Sequence, residues 1–167
     1  MESLKKNFYT IYVRPMLEHS SSVWNPISTR EIESLESVQR YFTRRICCRC
    51  NIPFKSYNDR LYKLNIPSLE YRRLEADILM VYKIIHQIVD IPMNNFFKLY
   101  TSPYMTRRHA YCLETMRCKT KHQQGFFVGR IVKVWNALPA ELVEETSLSV
   151  FKSRLKKVNL NVHTNRY

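Results

Sequence analysis

The chain has 167 residues and a formal net charge of +13, with only two glycines but eleven tyrosines and eight phenylalanines. This length suits one domain with a sizeable core, and the scarcity of glycine disfavours turn-rich β architectures. No apolar run approaches the roughly 18 residues that a membrane span requires, and an odd number of cysteines (five) argues against a secreted disulfide scaffold. We therefore expect an intracellular protein, nuclear or cytoplasmic, with no membrane partner.

The first half of the chain has the spacing of helices. Residues 2–23 place apolar side chains on one helical face, and Pro15 should kink or break that helix because proline lacks an N–H. Ser28 and Glu31 have the spacing of a capping box that opens a second helix, which Pro53 ends. The apolar stripe predicted for this second helix is Ile32, Leu35, Val38, Phe42 and Ile46.

The middle of the chain contains the longest predicted helix. Ser56 is expected to cap a short helix together with Asp59, and Ser68 opens a helix that runs from residue 69 to about residue 89. Its broadly apolar composition predicts a central, well-buried helix. Pro92 opens another short helical turn.

Helical spacing is lost over residues 100–122, which predicts an irregular connector or a short β-ribbon. It returns over residues 127–138 and again after Ser147. The predicted fold class is mainly α, an irregular helical bundle. We divide it into segments 1–55, 56–99 and 100–167, which together form one compact domain.

The acidic and cysteine residues do not form a recognisable catalytic or metal-binding pattern. Metal-dependent polymerases need converging carboxylates, whereas the chain has no adjacent aspartate pair. Asp59 with Lys63 and Glu36 with Arg40 have the spacing of surface ion pairs along a helix. A zinc site built from the "CCRC" run at residues 47–50 is the weaker alternative to plain thiols, because structural zinc sites usually show two spaced ligand pairs.

Two glycines and two histidines have structural interpretations. Gly125 and Gly129 in "GFFVG" do not supply a phosphate-binding loop, and their four-residue spacing suits close helix packing. His19 and His86 lie in apolar helical stretches, which predicts positions at the edge of the core.

Positive charge is concentrated in three blocks. Residues 40–55 carry five basic and no acidic residues, residues 98–133 eight and one, and residues 152–166 five and none. Such clusters with interleaved aromatic residues favour nucleic acid, because arginines one turn apart can contact phosphates while rings stack on unpaired bases. The alternative is a solvated basic surface with its aromatic residues in the core. The candidate binding residues are Arg40, Arg44, Arg45, Arg49, Arg72, Arg73, Arg107, Arg108, Lys119 and Lys121.

Five segments in a fixed order resemble the region that follows the polymerase core in invertebrate non-LTR (LINE-type, jockey-like) retrotransposon reverse transcriptases. The resemblance covers about residues 4–157. The segments are "LKKNFYTIYVRPMLEHSSSVWNP", "IESLESVQRYFTRRI", "YNDRLYKLNIPSLEYRRLEADILMVYKII", "TRRH" and "FFVGRIVKVWNALPAELVEETSLSVFKSRL".

This resemblance implies a thumb (residues 1–55), a central helical segment and a C-terminal extension. These would grip template RNA and primer DNA while another domain performs RNA-directed DNA synthesis. The family's catalytic Tyr/Phe-Ala-Asp-Asp motif is not in this chain, so no catalytic residue, no cofactor and no polymerase activity of the isolated chain are expected. The alternative function is a helical interaction or scaffold module that docks on a missing polymerase core.

Overall fold

The computed structural model describes residues 2–101 and 109–160, and this part of the chain is mainly α-helical, as predicted. No helix within the described ranges is long and apolar enough to cross a membrane. The helices are α1 (Glu2–Phe8), a π-helical turn (Tyr9–Val13), α2 (Arg14–Glu18), α3 (Thr29–Arg49), α4 (Tyr57–Leu64), α5 (Leu69–Ile85), a 3₁₀ turn (Met93–Asn95), α6 (Lys121–Gly125), α7 (Phe127–Asn136), α8 (Ala140–Val143) and α9 (Leu148–Leu155).

The first helical segment, residues 2–18, continues past Pro15 instead of breaking there. The turn before the proline is π-helical, with the Arg14 N–H donating to the carbonyl of Tyr9, five residues back. A wider turn accommodates a residue that can donate no hydrogen bond of its own. The predicted exit from the helix into a turn at residues 20–26 is confirmed, since α2 ends at Glu18 and Ser20 adopts a φ of 54° in the turn that follows.

Three serines cap helices as the sequence predicts. The Ser28 side chain accepts from the N–H of Glu31 in a complete capping box that begins α3, Ser56 caps α4 and Ser68 caps α5. Each side chain satisfies a backbone N–H that the first helical turn leaves without a partner.

Helix α5 ends at Ile85, four residues before the predicted end. Gln87 has a φ of 54°, and the N–H of Ile88 donates to the carbonyl of Lys83 at 2.9 Å. This pattern of hydrogen bonds after a left-handed residue is a Schellman motif, which terminates a helix whatever the hydrophobic pattern beyond it.

The buried face of α3 differs from the predicted apolar stripe, of which only Ile46 is fully buried. The reason is that the polar side chains on this face find hydrogen-bond partners inside the protein, so their burial is compensated. The buried residues of α3 are Glu36, Gln39, Thr43, Ile46 and Cys47.

A single antiparallel β-bridge lies near the start of the irregular segment. Leu99 and Leu113 form an antiparallel bridge, with the Tyr100 N–H donating to the Cys112 carbonyl and the Glu114 N–H to the Lys98 carbonyl, both at 2.8 Å. The described residues of this segment therefore form the irregular connector, the first of the two predicted alternatives, with one bridge and no strand.

Apolar side chains form two clusters. The larger cluster joins α5, α7 and α9, with the Tyr82 and Phe151 rings stacked 4.0 Å apart. The smaller cluster lies between the first helical segment, α3 and α4, and its buried members are Tyr9, Ile46, Cys47, Leu64 and Ile66.

Candidate nucleic-acid interface

Three of the predicted arginines share the exposed C-terminal half of α3. Arg44, Arg45 and Arg49 are all exposed, and we call them the arginine face. None of the three forms an ion pair within the described part of the chain, where the ion pairs join other residues. Their charges therefore remain accessible to an anionic ligand.

Arg40, one turn earlier, is half-buried rather than exposed. Its guanidinium lies over the ring of Tyr57, 5.1 Å from the ring centre. The predicted surface role of Glu36 with Arg40 is wrong, because Glu36 is only 1% exposed and accepts hydrogen bonds from the Tyr57 hydroxyl and the Leu69 N–H. Burial raises the pKa of the Glu36 carboxyl.

A surface cleft of about 290 Å³ separates the first helical segment from α3. At the edge of this cleft, the Arg45 guanidinium lies 5.2 Å from the centre of the Tyr41 ring. Lys5 and Phe8 also line this cleft, and charge spacing along α3 does not predict them because they come from a distant segment. The full lining is Lys5, Phe8, Tyr41, Phe42, Arg45, Ile46 and Arg49.

Arg72 and Arg73, also predicted to bind nucleic acid, bind the protein itself. Arg72 donates to Glu18 at 2.9 Å. Arg73 is only 4% exposed, donates to the Asn25 side chain at 3.1 Å and lies 4.4 Å from the ring centre of Trp24. Burial lowers the pKa of Arg73. We therefore leave both arginines out of the candidate interface.

The remaining predicted residues do not join the arginine face. Lys119 and Lys121 are exposed, and Lys121 lines a cleft together with Thr29 and Glu31 at the beginning of α3. Glu31 and Arg45 are 14 residues apart on one helix, or about 21 Å at 1.5 Å per residue. Lys119 and Lys121 thus form a second basic patch, while residues 107 and 108, both arginine, lie outside the described residues.

The three aspartates of the chain lie apart from one another, in different environments. Asp77 is buried and receives two hydrogen bonds from Arg130, and burial raises its pKa. Asp59 forms the predicted ion pair with Lys63 at 3.1 Å, while Asp90 is exposed. Within the described ranges no three His, Cys, Asp or Glu side chains come together as a metal site.

The "CCRC" run contributes thiols to different surroundings. Cys47 is buried in the smaller apolar cluster, Cys48 is exposed on α3 and Cys50 is half-buried after the helix ends. The Lys5 amino group approaches the Cys50 sulfur at 3.9 Å. The run therefore points its side chains in different directions around the end of α3.

The histidine prediction holds for one residue of two. His86 stacks on Tyr82 with ring centres 4.2 Å apart and contacts the Val143 carbonyl through Nε2 at 3.2 Å, at the edge of the larger cluster. His19 is exposed, because the helix ends at Glu18 and the chain turns away from the core there.

Comparison with known proteins finds a similarity over about half of this chain. No protein-family model and no solved structure matches it. It is 37% identical over 87 residues to an uncharacterized protein of Caenorhabditis elegans, a match that covers 52% of this chain and 42% of that protein. The similarity thus spans less than half the length of this relative.

Proposed function

We propose that this chain is a thumb and C-terminal extension fragment of a non-LTR retrotransposon reverse transcriptase, and that the property it retains is binding of template RNA and primer DNA. The ordered resemblance of five segments supports this origin. The observation that carries the binding proposal is the arginine face, three exposed arginines without an ion pair in the described chain, beside the exposed ring of Tyr41.

The chemistry of this surface suits a sugar-phosphate backbone. Arg45 and Arg49 lie one helical turn apart, and a guanidinium binds phosphate oxygens through two parallel N–H groups. Phe8 and Tyr41 provide exposed rings at the same cleft, on which unpaired bases can stack. These contacts discriminate little between sequences, so we expect sequence-tolerant binding.

Catalysis belongs to another part of the parent protein under this proposal. The chain lacks the family's catalytic aspartate motif, and Asp77 is occupied by Arg130. The divalent metal ions of the polymerase would be held by that other part. We expect no nucleotide incorporation by the isolated chain.

The test measures fluorescence anisotropy of a labelled RNA–DNA hybrid against salt concentration. The variant Arg44→Gln/Arg45→Gln/Arg49→Gln should bind at least about tenfold more weakly, since phosphate contacts dominate affinity. Its plot of log affinity against log salt should be less steep by up to about 0.9 per lost contact. The control is Lys133→Gln/Lys152→Gln/Lys157→Gln, which removes the same charge from exposed positions outside α3.

Equal weakening by both triple variants would mean that the chain responds only to total charge and has no localised interface. Wild-type affinity that hardly changes with salt would contradict phosphate binding altogether. Lys119→Gln/Lys121→Gln then shows whether the second basic patch contributes, as a smaller additional loss of affinity.

A further inference from the structure

The first helical segment exposes a row of large apolar side chains to solvent. Leu4 is 73% exposed, Phe8 55%, Ile11 61% and Met16 77%. We call these four residues the outer seam. Tyr12, 64% exposed, lies beside them with its ring 5.3 Å from that of Phe8. Such a contiguous exposed apolar row indicates a binding surface.

The opposite side of the same segment already packs against the protein. Tyr9 is fully buried, and Val13 packs beside it in the smaller cluster. The outer seam is therefore a second apolar face, on a helical segment whose first apolar face is already buried against the protein.

The seam follows the spacing of a two-stranded coiled coil. Leu4, Phe8 and Ile11 are separated by four and three residues, the alternation of d and a positions in a heptad. Met16 comes five residues later, but the π-helical turn contains one extra residue and returns it to the same side. The seam thus runs for three turns, about 17 Å.

Its width favours a partner helix over a lipid surface. Ser3 and Asn7 are exposed along one edge of the seam, and Lys5 lines the cleft at the other edge, beside Tyr12. A narrow row is typical of a helix–helix seam, whereas a helix that lies in a membrane interface needs a broad apolar face. The adjoining cleft of about 290 Å³ offers room for side chains of a neighbouring helix.

The charges around the seam indicate which kind of helix fits. Lys5 borders it on α1, and Arg45 and Arg49 lie across the cleft. Glu18, the acidic residue at the end of the segment, is paired with Arg72. A second copy of this chain would bring like charges together, and residues 102–108 and 161–167 contain no acidic residue.

We propose that the outer seam binds an acidic amphipathic helix of another protein, forming a two-stranded helical pair along the first helical segment. Leucine-like side chains of the partner would pack between Leu4, Phe8, Ile11 and Met16. Carboxylates flanking those side chains would face Lys5 and the arginines across the cleft. This interaction does not require nucleic acid, but its surface includes Phe8, Arg45 and Arg49 and so overlaps the surface proposed above for nucleic acid.

The test uses the full chain and two labelled synthetic helices of about 21 residues, three heptads with leucine at a and d. One peptide carries glutamate at the flanking e and g positions, and the other carries lysine there. We expect the glutamate peptide to bind with a measurable Kd and the lysine peptide to bind at least tenfold more weakly.

Variants locate the binding on the chain. Leu4→Ser/Ile11→Ser should lower the affinity for the glutamate peptide at least tenfold and leave the affinity for the RNA–DNA hybrid unchanged. The control Val23→Ser/Tyr62→Ser removes apolar side chains away from the seam that are more exposed than Leu4 and Ile11, at 82% and 86%, and should leave peptide binding unchanged. Circular dichroism checks that all variants fold.

Several outcomes would overturn the proposal. These are failure of the glutamate peptide to bind, equal binding of both peptides, and equal loss in both double variants. A wild-type dimer that Leu4→Ser/Ile11→Ser converts to a monomer would assign the seam to self-association. If Leu4→Ser/Ile11→Ser lost binding to phosphatidylserine vesicles, or to the RNA–DNA hybrid, but kept peptide binding, the seam would be assigned to that ligand instead.

Discussion

Arg130 binds Asp77 through two parallel hydrogen bonds, from Nε to Oδ2 at 2.7 Å and from Nη2 to Oδ1 at 3.0 Å. The two residues are 53 positions apart and join α7 to the central helix α5. The same guanidinium donates to the carbonyls of Gly125 at 2.9 Å and Ser21 at 2.7 Å. One side chain therefore connects the start of the chain, its central helix and its C-terminal third.

Asp77→Asn should lower the free energy of unfolding by about 3 kcal/mol, because it leaves a mostly buried guanidinium without its carboxylate. Urea denaturation measures this loss. Asp59→Asn is the control, since its ion pair with Lys63 is exposed to solvent and should contribute much less to stability than the buried pair. A similar small loss in both variants would show that the buried pair does not stabilise the fold.

Glu36 should make stability depend on pH. Burial raises its pKa above the ordinary value of 4.5, so the folded state holds the proton more tightly than the unfolded chain. That stabilisation is complete below the unfolded pKa and is lost as pH rises through the folded pKa. Glu36→Gln, which stays neutral, should therefore gain stability relative to wild type as pH rises from about 4 to 7.

Glu31→Gln is the control for Glu36 because its pKa shift has the opposite sign. Hydrogen bonds from Ser28 lower the pKa of Glu31, so its contribution is present above the unfolded pKa and lost as pH falls. Urea midpoints for both variants and wild type, measured across the same pH series, should change in opposite directions. If the urea midpoints of both variants changed in the same direction with pH, the opposite pKa shifts of Glu36 and Glu31 would be contradicted.

Gly129→Ala should destabilise the protein by about 1–3 kcal/mol through overpacking. A Cβ there would overlap the Gln123 carbonyl oxygen and approach the Cys118 sulfur at 3.2 Å, and backbone cannot easily move aside. In Gly125→Ala the new methyl group meets only the Ile27 side chain, which is partly exposed and can rotate. Thermal unfolding should show the larger decrease in Tm for Gly129→Ala.

Asn65 ends α4 in the left-handed conformation, with φ 49° and ψ 54°. Asn65→Ala should cost about 1 kcal/mol, since asparagine tolerates this conformation better than alanine, and should lower Tm by about 2–4 °C. Asn65→Gly should leave Tm within about a degree of wild type or raise it, because glycine adopts positive φ without strain. An equal decrease in Tm for both variants would show that Asn65 stabilises the protein through its side chain and not through its backbone conformation.

Local features of this fold follow from the sequence more readily than long-range ones. The caps at Ser28 and Ser56 depend on residues three positions apart, so short-range spacing predicts them. The burial of Glu36 does not follow from periodicity, because its partners Tyr57 and Leu69 lie on other elements. A hydrophobic pattern assigns a carboxylate to the surface, because it does not show which distant residues could hydrogen-bond to that carboxylate in the interior.

The candidate interface shows the same distinction. Charge spacing correctly identifies Arg45 and Arg49 as exposed, but it also includes Arg73, which has the same local pattern and is buried. The difference is set by residues 17 and 25, about fifty positions away, which receive its hydrogen bonds. Lys5 reaches the cleft only through the packing of the first helical segment on α3.

The attachment of the first helical segment has a consequence for sequence divergence. Arg73 donates to the main-chain carbonyl of Leu17, and Arg130 donates to that of Ser21. Every amino acid carries a carbonyl group, so these contacts depend on the path of the chain and not on which side chains occupy positions 17 and 21. Ser21 is only 6% exposed, so its replacements should be small. Among homologues, positions 17 and 21 should vary within the available space while both arginines are retained, and a deep mutational scan should show that asymmetry.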